Sequence, residues 1–95
     1  MNQYGATLPI DSIKACVVYD SRSGQIHHHH SVLTLIGGRE PTLDQIAADA
    51  LRSSENRRNP PKGDLQVLHV EHDALMSGKR HRVDVERKTL VVEEP

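Results

Sequence analysis

The sequence predicts an α+β domain of element order ββαβββ, a mostly antiparallel sheet with one amphipathic helix packed on one face. Three observations carry that expectation. Two β-branched-rich runs flank the segment Asp20-Ser21-Arg22-Ser23-Gly24, which has the chemistry of a hairpin turn. A single stretch after Gly37-Gly38 repeats its apolar residues with helical period. Beyond a Pro-Pro loop, the chain returns to short alternating runs separated by tight turns.

Each element has its own local reason. Residues 1–11 hold Gly5 and Pro9 and show no period, so they are expected to form an N-terminal arm, with a single α+β domain over residues 12–95. Residues 13–20 are rich in Ile13, Val17, Val18 and Tyr19, which favour a pleated, half-buried strand. Asp at the head of a turn accepts backbone N–H bonds and Gly at its end takes positive φ. Residues 20–24 therefore read as a type I turn closed by a glycine bulge. A second strand spans residues 25–36 and stops at Gly37-Gly38.

The helix begins with Thr42 as N-cap and Gln45 completing a capping box. Leu43, Ile46, Ala47, Ala50 and Leu51 make one stripe; Asp44 near the start and Arg52 near the end suit the helix dipole. Residues 59–64, Asn-Pro-Pro-Lys-Gly-Asp, stop both helix and strand. Residues 65–70 resume strand character, and residues 73–78 form a turn. In residues 80–86, His81, Val83 and Val85 alternate with Arg82, Asp84 and Glu86. A turn near Arg87-Lys88 leads to a last strand at residues 90–92.

Composition limits what such a chain can be. Ninety-five residues suffice for one small domain. Phe and Trp are absent and Tyr4 and Tyr19 are the only aromatic residues of that class, so the core is aliphatic and lean. Twelve basic against thirteen acidic residues leave a net charge of −1, and no overall field draws in polyanions. Several strands carry apolar residues on both faces: Cys16 and Val18 oppose Ala15 and Val17, and Val32 opposes Leu33. One helix shields one face. A second subunit is the simplest cover for the other, which makes a homodimer the expected state.

The lone Cys16 excludes an intrachain disulfide and suits a reducing compartment, most simply the cytoplasm. No basic segment followed by an apolar stretch marks a signal peptide, and no apolar run approaches the roughly 20 residues that cross a bilayer.

The seven histidines, four of them consecutive at positions 27–30, are the chemical anomaly. On a regular strand His27 and His29 share one face and His28 and His30 the other. Same-face neighbours lie about 6.5–7 Å apart at Cα, close enough for two imidazoles to share a metal ion. Zinc or nickel would need further ligands. His27, His29, His69 and His72 form the candidate metal set, with partly buried structural imidazoles as the plainer explanation. Cys16 facing the histidine run has the two groups of a nucleophilic pair, yet its neighbours Ala15 and Val17 describe a small core residue.

Basic residues gather around the helix end (Arg52, Arg57, Arg58, Lys62) and around the last hairpin (Lys79, Arg80, Arg82, Arg87, Lys88). On one edge they could follow phosphates. No exposed aromatic residues accompany them to stack bases, so nucleic acid is the weaker partner expectation. The sequence thus points first to a small non-enzymatic interaction or accessory module that self-associates through its sheet or binds a protein partner not identified by sequence. A His-rich divalent-metal-binding protein and a weak nucleic-acid-binding protein are the alternatives.

Overall fold

The computed structural model describes residues 9–55, 64–75 and 78–93. Its elements run β1 (Ile10–Asp20), β2 (Ile26–Leu35), α1 (Leu43–Glu55), β3 (Leu65–Val70), β4 (Arg80–Asp84) and β5 (Thr89–Glu93). The order ββαβββ is the one the sequence predicts. β1 starts inside the segment read as an arm; residues 1–8 lie outside the described residues.

The turn after β1 forms as its chemistry requires. Asp20 Oδ1 accepts N–H bonds from Arg22 at 2.7 Å and Ser23 at 3.1 Å, Gly24 N–H donates to Asp20 O at 2.8 Å, and Gly24 sits at φ 80°. The two donated bonds, Arg22 first, hold the Asp20 carboxyl below the ordinary carboxylate range. A depressed folded-state pKa adds stability that is present above the unfolded value and lost as pH falls through the folded one. Asp20→Ala should therefore melt below wild type at pH 7, and the gap should narrow at an acid pH below the folded-state value of Asp20. Equal gaps at both pH values in thermal melts would show that the carboxylate charge does not matter.

β1 is the centre of a three-stranded antiparallel sheet, order β2-β1-β3, and β4 and β5 form a separate hairpin. The alternation of β1 residues places Cys16 and Val18 on one face and Val17 and Tyr19 on the other, all buried. α1 closes the first face: Ile46 and Ala50 pack with Cys16 and Val18, flanked by Val32, Leu51, Leu65 and Val67. The predicted capping box is present, with Thr42 N–H donating to Gln45 Oε1 at 2.8 Å and Gln45 N–H to Thr42 Oγ1 at 3.1 Å.

The second face corrects the expectation of a single sheet whose far side awaits another subunit. Val83 from β4 packs on Val17 and Tyr19, with Ile26, Leu68, Leu75, Val85 and Leu90 around them. The hairpin joins the larger sheet through one bridge, Gln25 to Arg82, and through Val83 N–H donating to Gly24 O at 2.8 Å. Its turn end lies above β3, where Lys88 Nζ donates to Gln66 Oε1 at 3.2 Å. The same Gln66 oxygen accepts the Tyr19 hydroxyl at 3.1 Å. The hairpin therefore crosses the sheet instead of extending it, and the chain itself covers the part of its second face around Val17 and Tyr19. Alternation in residues 80–86 fixed which side of β4 is apolar and left open whether that side pairs edge-on or stacks.

Candidate functional site

The histidine run occupies β2, an edge strand. On one side β2 pairs with β1 in the register Ser12–Thr34, Lys14–Val32, Cys16–His30 and Val18–His28, then shifts so that Tyr19 meets Ile26. That shift leaves His27 as the extra residue of a bulge. The bulge breaks the strict alternation on which the His27/His29 pairing rested. Among the described residues the other side of β2 carries no strand, apart from the Gln25–Arg82 bridge that precedes it.

Cross-strand partners share a face, which locates every histidine of the candidate set. His29 pairs with Val17, on the hairpin side, and its Nε2 lies 3.1 Å from Ser31 Oγ. His69 on β3 pairs with Cys16, on the helix side, and β1 stands between it and β2. His72 lies exposed in the turn after β3. The fold therefore does not bring His27, His29, His69 and His72 together, and among the described residues no group of three or more His, Cys, Asp or Glu converges as metal ligands. The imidazoles that do come together are His28 and His30, with ring centroids 5.9 Å apart on the helix side of the edge.

Cys16 lies between His30 and His69 in register, a row that no sequence spacing announces because it needs β1 in the middle. The thiol is fully buried beneath Ile46 and Ala50, and burial pushes its pKa up. A protonated, sealed thiol is packing.

The far end of the β1–β2 ribbon is different in character. Ile10 pairs with Leu35 and Ile13 with Leu33, all on the hairpin side but beyond the hairpin. Leu33 is 52% exposed, Ile10 50%, Leu35 38%, and the adjoining Ile36 65%, whereas Val17 on the same face is fully buried. Isolated exposed aliphatics are ordinary; here they adjoin one another across two paired strands and run up to the open edge.

The basic clusters are dispersed. Lys79 precedes β4 at the open end of the hairpin, and Arg80 and Arg82 line a cleft of about 510 Å³ together with Glu93, the cross-strand partner of Arg80. At the turn end Arg87 lies 4.0 Å from Asp84 and Lys88 reaches Gln66. Arg52 pairs with Asp49 at 3.1 Å, and Arg57, Arg58 and Lys62 lie outside the described residues. Among the described residues no helix is long and apolar enough to cross a membrane. Comparison with protein-family models, with curated proteins and with solved structures found no match to this chain.

Proposed function

We propose that the chain is a small, non-enzymatic interaction module that self-associates along the β2 edge as a homodimer. The observation that supports this reading is the composition of that edge. Edge strands are normally protected by Lys, Pro or inward charges, and Ile26–Leu35 reads IHHHHSVLTL, without a Lys, Arg, Asp, Glu, Pro or Gly. Its one protective device is the bulge at His27. The opposite edge, β3, is shorter and is bracketed by Asp64 and Glu71.

A second copy of the same edge is the fitting occupant. Antiparallel strand pairing is self-complementary about a two-fold axis, and it satisfies backbone groups on both copies at once. It also shelters part of the Leu33–Leu35 surface, at roughly 25 cal/mol per Å² of apolar area removed from water. The single, buried Cys16 accords with work in a reducing compartment such as the cytoplasm.

Sedimentation equilibrium at pH 8 in EDTA, at tens of micromolar chain, tests the proposal. The wild type should be a dimer, and Leu33→Glu combined with Ser31→Lys should be a monomer with its melting transition within a few degrees of wild type. Both residues are exposed, so neither change should disturb the core. A monomeric wild type would overturn the reading.

A further inference from the structure

We propose that the cleft between the start of β2 and β4 is a phosphate-binding site, anchored by Arg80 and Arg82, whose ligand is a phosphate monoester of a small organic molecule. The inference goes beyond self-association and does not depend on it.

The first support is the cleft itself, which exists because two strands meet at one point and then part. β4 is held to the chain just before β2 by the Gln25–Arg82 bridge and by Val83 N–H donating to Gly24 O at 2.8 Å. Among the described residues no further pairing joins β2 to β4. The opening that remains is the cleft of about 510 Å³, with Ser23, Gln25 and Ile26 on one wall and Arg80, Arg82 and Glu93 on the other. Small-molecule sites occupy about 300–1,000 Å³. The turn wall is fixed in place, since Asp20 Oδ1 accepts the N–H bonds of Arg22 and Ser23.

The second support is the donor set. Arg80 and Arg82 stand two apart on β4 and share the face opposite the buried Val83. Cross-strand pairing puts Gln25 on that face beside Arg82 and Glu93 beside Arg80. Both arginines are exposed, and among the described residues neither guanidinium has a hydrogen bond or ion pair. Ser23 Oγ accepts the Gln25 N–H at 3.1 Å and keeps its own hydroxyl proton to donate. His81 also lines the cleft, but it has an interaction of its own and is not one of the assigned ligands.

Charge and geometry select the ligand. Arg80 and Arg82 bring two positive charges to the cleft and Glu93 one negative charge; Lys79 adds a positive charge in the adjoining hollow, which Arg80 and Glu93 also line. The excess is positive although the whole chain carries −1. A carboxylate offers two oxygens in one plane, and a single guanidinium fork already fills them. A phosphate monoester carries about 1.5–2 negative charges at neutral pH and three acceptor oxygens, enough for both forks and the Ser23 hydroxyl together. The half-buried Ile26 gives the organic group an apolar wall. Glu93 works against the anion, so neutralising it should tighten binding.

Phenyl phosphate titrated into the full-length protein at pH 7.5, followed by calorimetry and by amide chemical shifts, tests this. Expected is saturable binding of one ligand per chain, with the largest shifts at Ser23, Gln25 and Arg82. Arg80→Gln and Arg82→Gln should each raise the dissociation constant about 10-fold. Glu93→Gln should lower it, and Arg52→Gln on the helix should leave it unchanged. All four side chains are exposed, so the melting transitions should stay near wild type. Benzoate, with a carboxylate on the same ring, should bind about 10-fold more weakly than phenyl phosphate, and inorganic phosphate more weakly than the ester. Benzoate or inorganic phosphate bound as tightly as the ester overturns the assignment, as does an affinity that Arg80→Gln and Arg82→Gln leave unchanged. A single-stranded oligonucleotide bound more tightly than the ester and weakened by Arg52→Gln shows a diffuse polyanion surface and overturns it too. Failure of the site leaves the homodimer reading standing, and a monomeric wild type that binds phenyl phosphate as expected upholds the site.

Discussion

Ile46→Asp should abolish the folded state at 25 °C. Ile46 is 1% exposed and is the largest helix side chain between α1 and the central strand, packed with Cys16, Val18 and Ala50. Truncating a buried isoleucine to alanine alone costs about 2–5 kcal/mol. Asp adds the burial of a carboxylate with no cation among its packing neighbours, a further several kcal/mol. A domain of this size has only about 5–10 kcal/mol in total. Far-ultraviolet circular dichroism should show loss of the native spectrum and no cooperative melt. Ala48→Asp, two residues on and exposed, is the matched control and should melt close to wild type. An unchanged transition in Ile46→Asp would mean that α1 is not docked on β1.

Gly24→Ala should cost about 3 kcal/mol or more, and Gly37→Ala only about 1. Both glycines have positive φ, 80° and 88°, so alanine at either pays the left-handed backbone cost of about 1–2 kcal/mol. Only at Gly24 would the new Cβ collide with a backbone atom, the Val83 carbonyl oxygen; at Gly37 nothing stands within 4 Å. Backbone cannot rotate aside as a side-chain tip can. β4 must retreat, which stretches the Val83 N–H bond to Gly24 O, worth about 0.5–1.5 kcal/mol, and loosens Val83 from Val17 and Tyr19. Urea unfolding of the two variants checks the difference. Equal losses would show that the close approach of Gly24 to β4 is absent in solution.

Local chemistry was legible in the sequence and layer order was not. The Asp20–Gly24 turn and the Thr42–Gln45 capping box are decided by residues a few positions apart, and both appear with their hydrogen bonds. The helix stripe was legible through Ile46 and Ala50, but Ser54 is also fully buried one turn further. Its place at i+8 from Ile46 was the available signal, and its polar type hid it. The bulge at His27 has no sequence signature, so regular alternation placed His28, His29 and His30 on their faces and failed only for His27. That β1 lies between β2 and β3 decides which histidines can meet. Strand order depends on which long-range pairing buries more, and alternation within each strand is silent on that.

The attachment of the hairpin has a consequence for how the molecule breathes. Over residues 15–19 β1 is paired on both sides and buried on both faces, so the amides of that stretch exchange with solvent only when the whole domain opens. Among the described residues β4 and β5 are tied to the sheet by one bridge, the exposed Lys88–Gln66 bond and one apolar contact layer, and such a unit opens at a fraction of the global cost. Each opening bares Val17, Tyr19 and Leu68 and joins them to the already exposed Ile10, Leu33 and Leu35 on the same face. For that moment a largely apolar strip runs along the central strand, and a hairpin from a neighbouring molecule can take the place of the molecule's own. The weakest joint of the fold thus sets its susceptibility to exchange of segments between chains at high concentration.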